Sequence, residues 1–542
     1  MEHLELIVFG LLVAVAGLVV LANVTNVPYP IFLVIGGLAL GFVPGVPEVE
    51  LAPELVLLIF LPPLLYVSAF FSSPRDLRAN ARPIGLLSVG LVALTTLVVA
   101  GAAHWVMGFS WPVAFVLGAI VSPTDPVAAT AIAQRLGVPR RIVTILEGES
   151  LVNDGTALVL YQTAVRVASW GVAFSLLELG VLGLRLVVGV AVGVAVGLLI
   201  GYIIVGVRRR IEDSLVEVTV SLLTGYAAYL PAEELNSSGV PASGVLAAVT
   251  AGLYLGWHAP RLTSPNNRLQ AFAVWDVLTF VLNSVLFVLV GLQLPGILEG
   301  ISEDYSLGML ASYAAVVCLA VILARFVWVF PATYVPRKVS LHIRERDPSP
   351  PWQNITIIAY AGMRGAVSLA AALAIPLTIQ DGTPFPERDL IIFLAFCVIF
   401  VTLVGQGLTL QPLIRWLDIQ DDGGSEKEEI KARLLAAEAA LDRIEELVDE
   451  DWVYEDTAER MRGIYGYRRR RFAALQHGSL EAEDGGEEDL EGRSAAFQRL
   501  RRELLGAERE AVLRLRSEGK IGDEVMHRIE RDLDLEDSRL ET

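Results

Sequence analysis

Apolar residues run along this chain in blocks of about twenty, separated by short polar or Pro/Gly-marked breaks, and the pattern stops near residue 417. A helix crosses the hydrocarbon core of a bilayer in about 20 mainly apolar residues. Read that way, the blocks predict thirteen spans, near 3–22, 28–46, 53–71, 83–107, 110–134, 140–168, 176–207, 213–231, 240–258, 270–294, 306–335, 352–378 and 388–415. The partition of 28–71 is the least sharply marked.

Beyond 418 the pattern becomes that of charged helices. Ser425 with Glu428 reads as a capping box, followed by Ile430, Leu434, Leu441 and Ile444 at helical spacing. The tract 481–488 reads as a loop, about 490–518 as a second helical stretch ending at Gly519, and 520–525 as the opening of a short final helix. The expected fold is all-α: a polytopic membrane domain over 1–417 and a helical tail over 418–542.

Composition sharpens this picture. Of 542 residues 54% are hydrophobic and only 19% charged, against about a quarter charged in soluble domains. The net charge of −18 is uneven: 421–542 carry 34 acidic and 21 basic residues, the first 420 carry 26 and 21. So acidic a tail argues against nucleic-acid binding. Cys318 and Cys397 sit in apolar stretches and read as small buried hydrophobes, with no disulfide framework. The start, Met1 to Glu5, lacks the positive charge of a cleavable signal, so the first apolar block is expected to stay in the mature protein.

The connections test the span count through the positive-inside bias. One alternate set holds Arg75, Arg78 and Arg82; Arg135, Arg140 and Arg141; Arg208, Arg209 and Arg210; Arg261 and Arg268; and Arg337, Lys338, Arg344 and Arg346. The other is acidic: Glu48 and Glu50, Glu233 and Glu234, Glu299, Glu303 and Asp304. The bias places the N-terminus outside and the tail in the cytoplasm.

Charge inside a span is costly, so each such residue is a candidate for function. In the fifth span Pro123 and Pro126 flank Thr124 and Asp125; the prolines break the helix, and the freed backbone needs polar partners. A kink with a capping carboxylate is the simpler alternative. The sixth span opens with Glu147, Glu149, Ser150, Asn153 and Asp154. Residues four apart share a face, so Glu149 lies under Asn153 and Ser150 under Asp154, a continuous polar surface of hard oxygen ligands suited to Na+ or Li+. A structural hydrogen-bond network is the alternative there.

In the twelfth span glycines flank Arg364, allowing local unwinding. Arg364 needs a counter-charge, for which Glu149 is favoured; Arg325, midway along the eleventh span, is a rival for the same acid. The broken fifth and twelfth spans are seven apart. If spans 1–6 repeat as 8–13 they correspond with opposite topology, the pattern of an inverted-repeat transporter.

These strings resemble the NhaP/NHE branch of monovalent cation/proton antiporters. The matching segments are Ser122 to Ala128, Glu147 to Asp154 and Gly362 to Val367, with weaker echoes at Phe60 to Leu65 and Asn283 to Leu294. The resemblance implies a homodimer in the cell membrane with a dimer domain and a moving six-helix transport domain, using no cofactor. It implies that Asp154 binds Na+ and H+ in turn, with Asp125 beside it as a ligand. Ser150, Thr124 (through its backbone) and Asn153 complete the ion site, and Glu149, Arg364 and Arg325 are charge support. Asn153 stands where electrogenic relatives carry a second aspartate, which implies one cation per proton. Many relatives place an acid shortly after the Pro-Pro pair of the third span; here Tyr66 and Val67 occupy that place, which leaves the choice among Na+, K+ and Li+ open.

Three other readings compete: a K+/H+ antiporter, a cation channel or sensor, and an intramembrane aspartyl protease using Asp125 and Asp154. The last fits poorly, because Asp125 precedes a proline and Asp154 follows an asparagine. For the tail, an unidentified regulator and a merely solvated helical extension are both compatible, with His477 and His527 as possible titrating groups or ordinary surface histidines.

Overall fold

The computed structural model describes residues 4–25, 28–43, 53–170, 176–211, 213–301, 305–419, 423–477, 487–518, 520 and 523–538. Glu48, Glu50, Glu303, Asp304, Gly519 and most of 481–488 lie outside the described residues. The chain forms two compact units, 1–422 and 423–542.

The described part of the first unit is almost wholly helical, with one isolated β-bridge between Thr378 and Pro384. Its helices are α1 (Leu4–Thr25), α2 (Tyr29–Gly41), α3 (Pro53–Phe71), α4 (Ala81–Met107), α5 (Trp111–Val121), α6 (Val127–Arg135), α7 (Arg140–Trp170), α8 (Leu176–Arg208), α9 (Ser214–Ser237), α10 (Gly244–Leu262), α11 (Pro265–Ile301), α12 (Leu307–Val339), α13 (Trp352–Tyr360), α14 (Ala366–Leu373) and α15 (Arg388–Trp416). Short helices Pro74–Ala79 and Leu341–Arg346 cap connections. Among the described residues six helices are long and apolar enough to cross a membrane: α4, α9, α12, α15 and most of α8 and α11. Shorter apolar stretches lie in α1, α2, α3 and α5. The predicted fifth and twelfth spans are each two half-helices, α5/α6 and α13/α14, parted at 122–126 and 361–365.

Small residues let the helices approach backbone to backbone, the usual packing solution where lipid supplies no hydrophobic drive between helices. A Cβ on Gly291 of α11 would lie 2.1 Å from the Leu38 amide nitrogen of α2, and one on Gly197 of α8 would lie 2.4 Å from the Ala247 carbonyl of α10. On α10, Gly256 meets the Phe70 carbonyl of α3 in the same way. The opposite face of α8 is bare, exposing Leu184, Val187, Leu198, Leu199, Tyr202 and Ile203.

At the end of the bundle near the Arg-rich connections, Asp347 holds three helices together. Its carboxylate accepts from Arg82 at 2.8 Å, Arg141 at 2.7 Å and Arg337 at 2.7 Å. Burial alone would raise this carboxyl, but the hydrogen bond and charge of Arg141, with the charges of Arg337 and Arg82, hold it below the usual carboxylate range.

The second unit contains α16 (Gly424–Leu447), α17 (Glu455–His477), α18 (Glu487–Ser517) and α19 (Asp523–Ser538), with α16 packed on α17 and α18 on α19. The capping-box reading is corrected: Gly423, in the left-handed region at φ 63°, is the N-cap of α16, and Ser425 lies inside its first turn. Before 481 the described residues form two helices with a turn at 448–454.

Candidate functional site

The two interrupted helices meet at their breaks. The amide of Asp125 donates to the Met363 carbonyl at 2.8 Å, tying one break to the other. Each break leaves an N-terminus and a C-terminus of a half-helix inside the protein, with unpaired amides and partial positive charge at one and unpaired carbonyls and partial negative charge at the other. Asp125 answers both N-termini: Oδ1 accepts from the Val127 amide of α6 at 2.9 Å and Oδ2 from the Ala366 amide of α14 at 3.3 Å. Gly365 is what allows this, since a Cβ there would stand 1.8 Å from Asp125 Oδ2.

Arg364 answers the C-terminus of α5 and the backbone of the second break. Its Nε donates to the Val121 carbonyl at 2.8 Å and an Nη to the Gly362 carbonyl at 2.7 Å, while its amide donates to Thr402 Oγ1 at 3.0 Å. Asp125 thus compensates two helix N-termini and Arg364 the C-terminus of α5, while the last turn of α13 is served at its Ile358 carbonyl by Arg325. The carboxylate-capped kink weighed for the fifth span is what forms, extended to a second helix.

Arg364 is therefore not the partner of Glu149. The rival, Arg325, takes that acid in a bidentate pair, one arm at 2.9 Å, and also donates to the Ile358 carbonyl at 3.1 and 2.9 Å. The Val121 and Gly362 carbonyls, invisible as partners in the sequence, take the Nε and one Nη of Arg364, and its other Nη has no partner among the described residues. Both Glu149 and Arg325 are almost fully buried. The Thr124 hydroxyl donates to Glu149 at 3.2 Å and accepts from Asn153 Nδ2 at 2.8 Å.

The polar surface expected on α7 is accordingly two surfaces. Glu149 and Asn153 face this network. Ser150 and Asp154 face the other way, onto a cavity of about 580 Å³. Thr124, Asp125, Ser150 and Asp154 all line it, with Tyr29, Val67, Ser68 and Ser368. Its lining also includes Phe71, Ser72, Thr130, Glu147 and Asp276, each within about two helical turns of a connection carrying Arg75, Arg135, Arg140 or Arg268. The carboxylate of Asp154 receives no hydrogen bond from any described residue, so it is the buried acid left open toward the cavity. Glu149 is consumed by Arg325 and Thr124, and Asp125 by two amides.

Several contributors were missed in the sequence. Asp276 and Thr279 of α11 line the cavity at helical spacing with Asn283, which was quoted only as the start of a weaker echo and without a role. Glu147 stood in the quoted motif without a role and lines the mouth. Thr402 lies in a widened π-helical turn of α15, Val401–Gln406, and its only sequence signal is a polar residue in an apolar span. Of the two residues standing where an acid was expected, Val67 faces the cavity while Tyr66 packs against Trp275 and Phe70.

Comparison with known proteins bears on the same region. Residues 10–416 match the family model described as sodium/hydrogen exchanger, transmembrane. The chain is 38% identical to an uncharacterized Na(+)/H(+) exchanger of Mycobacterium tuberculosis, over 98% of this chain and 97% of that one. It is 34% identical to the Na(+)/H(+) antiporter ApNhaP of Aphanothece halophytica, over 82% and 80%. In fold it is similar to the sodium proton antiporter MjNhaP1 of Methanocaldococcus jannaschii, with a TM-score of 0.60 at 21% identity over 77% of this chain and 99% of that one.

Proposed function

The chain belongs to the sodium/hydrogen exchanger family of membrane transporters, and from that premise we propose that it exchanges Na+ for H+, one for one, at Asp154. The observation that carries this reading is the open carboxylate of Asp154 on a cavity of about 580 Å³, where the other buried acids beside it, Asp125 and Glu149, already have partners. A single uncommitted carboxylate can hold either a cation or a proton. Na+ coordination takes Asp154 Oδ and the Ser150 hydroxyl, with backbone oxygens at the break and water completing the shell. Asp125 lines the same cavity and lends its charge to the site, while its oxygens stay on the two amides.

Exchange follows from competition for that carboxylate. The bare charge is costly to carry through the apolar layer, so the site crosses only when neutralised by one guest or the other. Asn153 carries no charge and donates to Thr124, which supports a one-to-one, electrically silent cycle. The cavity reaches toward the Arg-rich connections, so with the N-terminus outside and the tail cytoplasmic this is the inward-open state in the cell membrane. The half-helix pairs α5/α6 and α13/α14 are read as equivalents in inverted six-helix repeats within a transport domain, and the chain as a homodimer.

The test is proton flux in proteoliposomes with the membrane potential clamped. Na+ gradients are expected to drive flux that Asp154→Asn abolishes, and the ratio under Na+ and K+ gradients assigns the cation. Unimpaired exchange by Asp154→Asn overturns the assignment; net current under a Na+ gradient overturns the stoichiometry and favours a channel.

A further inference from the structure

A second cavity, of about 610 Å³, lies at the end of the bundle where Asp347 gathers its arginines. It shares no lining residue with the ion cavity. Its apolar wall is made of the buried Leu87, Ile142, Ile145, Val329, Ile355 and Ile358, from α4, α7, α12 and α13. The part-exposed Arg82 and Arg141 and the buried Arg337 line it as well. A largely apolar pocket of this size with a few convergent polar groups has the usual form of a small-molecule site.

Hydrogen-bond donors are left over in this wall. Arg337 is spent, with Nε on the Asp347 carbonyl at 3.0 Å, one Nη on the Thr333 carbonyl and the other on the Asp347 carboxylate. Arg82 gives one Nη to that carboxylate, and Arg141 gives it one Nη while its Nε goes to Asn80. The Nε and second Nη of Arg82 and the second Nη of Arg141 reach no acceptor among the described residues. The first turn of α13 adds more. Gln353 and Asn354 line the cavity, the N-cap Pro351 offers no side-chain cap, and the amides of residues 352–354 donate to no described residue.

Charge decides what these donors take. Three guanidiniums stand against two carboxylates, Asp347 and Asp418, and the neighbouring Arg140 and Asp76 cancel each other. The surplus guanidinium and the roughly +0.5 charge of an uncapped helix N-terminus together leave about +1.5. A phosphate monoester carries about −1.5 to −2, a closer match than the single charge of a carboxylate. Guanidinium forks and helix N-termini both suit phosphate oxygens, whereas orthophosphate alone would leave the aliphatic wall uncovered. We propose that this cavity binds a soluble phosphate monoester with a compact apolar group. The phosphate sits on Arg82, Arg141 and the first turn of α13, and the apolar group lies against the aliphatic wall. The Ile358 carbonyl accepts from Arg325, so an occupant bears on a helix that scaffolds the ion site. The proposal rests on the walls of this cavity and not on which ion is exchanged.

Titration calorimetry of the full-length protein in phosphatidylcholine nanodiscs tests it, with phenyl phosphate, orthophosphate and phenol as probes. Phenyl phosphate is expected to bind once per chain, about tenfold more tightly than orthophosphate through burial of its ring. Phenol is expected to show no saturable binding, and the affinity of both phosphates to fall with added salt. Hydrogen exchange locates the site: phenyl phosphate is expected to slow the amides of 352–358. Arg141→Gln weakens both phosphates. Ala332→Leu, which fills the apolar part of the cavity and leaves the Asp347 cluster in place, removes only the advantage of phenyl phosphate. The proposal is overturned if phenyl phosphate binds no more tightly than orthophosphate, if either variant leaves its affinity unchanged, or if protection falls only on other segments. Displacement of phenyl phosphate by phosphatidylglycerol placed in the discs likewise overturns the assignment of a soluble ligand.

Discussion

Removing one partner of the Glu149–Arg325 pair tests the scaffold of the site most sharply. Both side chains are buried to within 1–2% of full occlusion. Arg325→Met deletes the bidentate contact and leaves Glu149 with only the Thr124 hydroxyl. A buried charge stripped of its partner costs about 3–5 kcal/mol, or between about two and three and a half decades in the folding equilibrium. Glu149→Gln strands the arginine in the same way. In the double variant neither charge remains, and the residual loss is chiefly the Ile358 carbonyl, which Arg325 had satisfied, at about 1–3 kcal/mol.

The expected signature is therefore non-additivity, with the double variant more stable than Arg325→Met alone and a coupling energy of at least about 2 kcal/mol. Reversible SDS denaturation in mixed micelles, followed by tryptophan fluorescence, measures it. The same cycle with Arg364→Met in place of Arg325→Met is expected to give a smaller coupling to Glu149, since Arg364 spends its donors on the Val121 and Gly362 carbonyls. Additive losses in the first cycle, or a larger coupling in the second, would refute the pairing.

Other consequences are as concrete. Gly365→Ala drives a methyl into Asp125 Oδ2, so it is expected to abolish flux and lower thermal stability, whereas Gly405→Ala, with open space around it, leaves both intact. Val67→Glu restores an acid to the cavity wall and is expected to lower the Na+ concentration for half-maximal proton flux; an unchanged value separates that position from selectivity. Asp347 has a depressed carboxyl, so its contribution is present above the unfolded value of about 3.9 and is lost as pH falls through the lower folded value. Asp347→Asn should accordingly destabilise the protein at neutral pH and matter less under strong acid; a loss that grows toward acid contradicts the latch.

The sequence discloses some of these features because their causes are local. Pro123 and Pro126 break a helix wherever they stand, and the glycines around Arg364 loosen one. The span blocks follow from hydropathy alone. The choice of Arg325 over Arg364 as partner of Glu149 depends on residues 176 apart in the chain, and carbonyls that every residue possesses carry no sequence mark as acceptors. The division of α7 into a network face and a cavity face is written in its helical period, but which face meets the cavity is decided by α3 and α11. In the tail, the turn at 448–454 contains no Gly or Pro to announce it, and the N-cap of α16 is Gly423 at a left-handed φ that glycine adopts freely, with no side-chain cap.

The central claim is that one carboxylate serves Na+ and H+ by turns. Proton release on Na+ binding measures this most directly, by calorimetry of the purified protein in buffers of different ionisation enthalpy. The account predicts close to one proton released per Na+ bound at acid pH, apparent Na+ affinity that weakens in proportion to proton concentration, and neither effect in Asp154→Asn. Na+ binding without proton release, or undiminished release in Asp154→Asn, would contradict it.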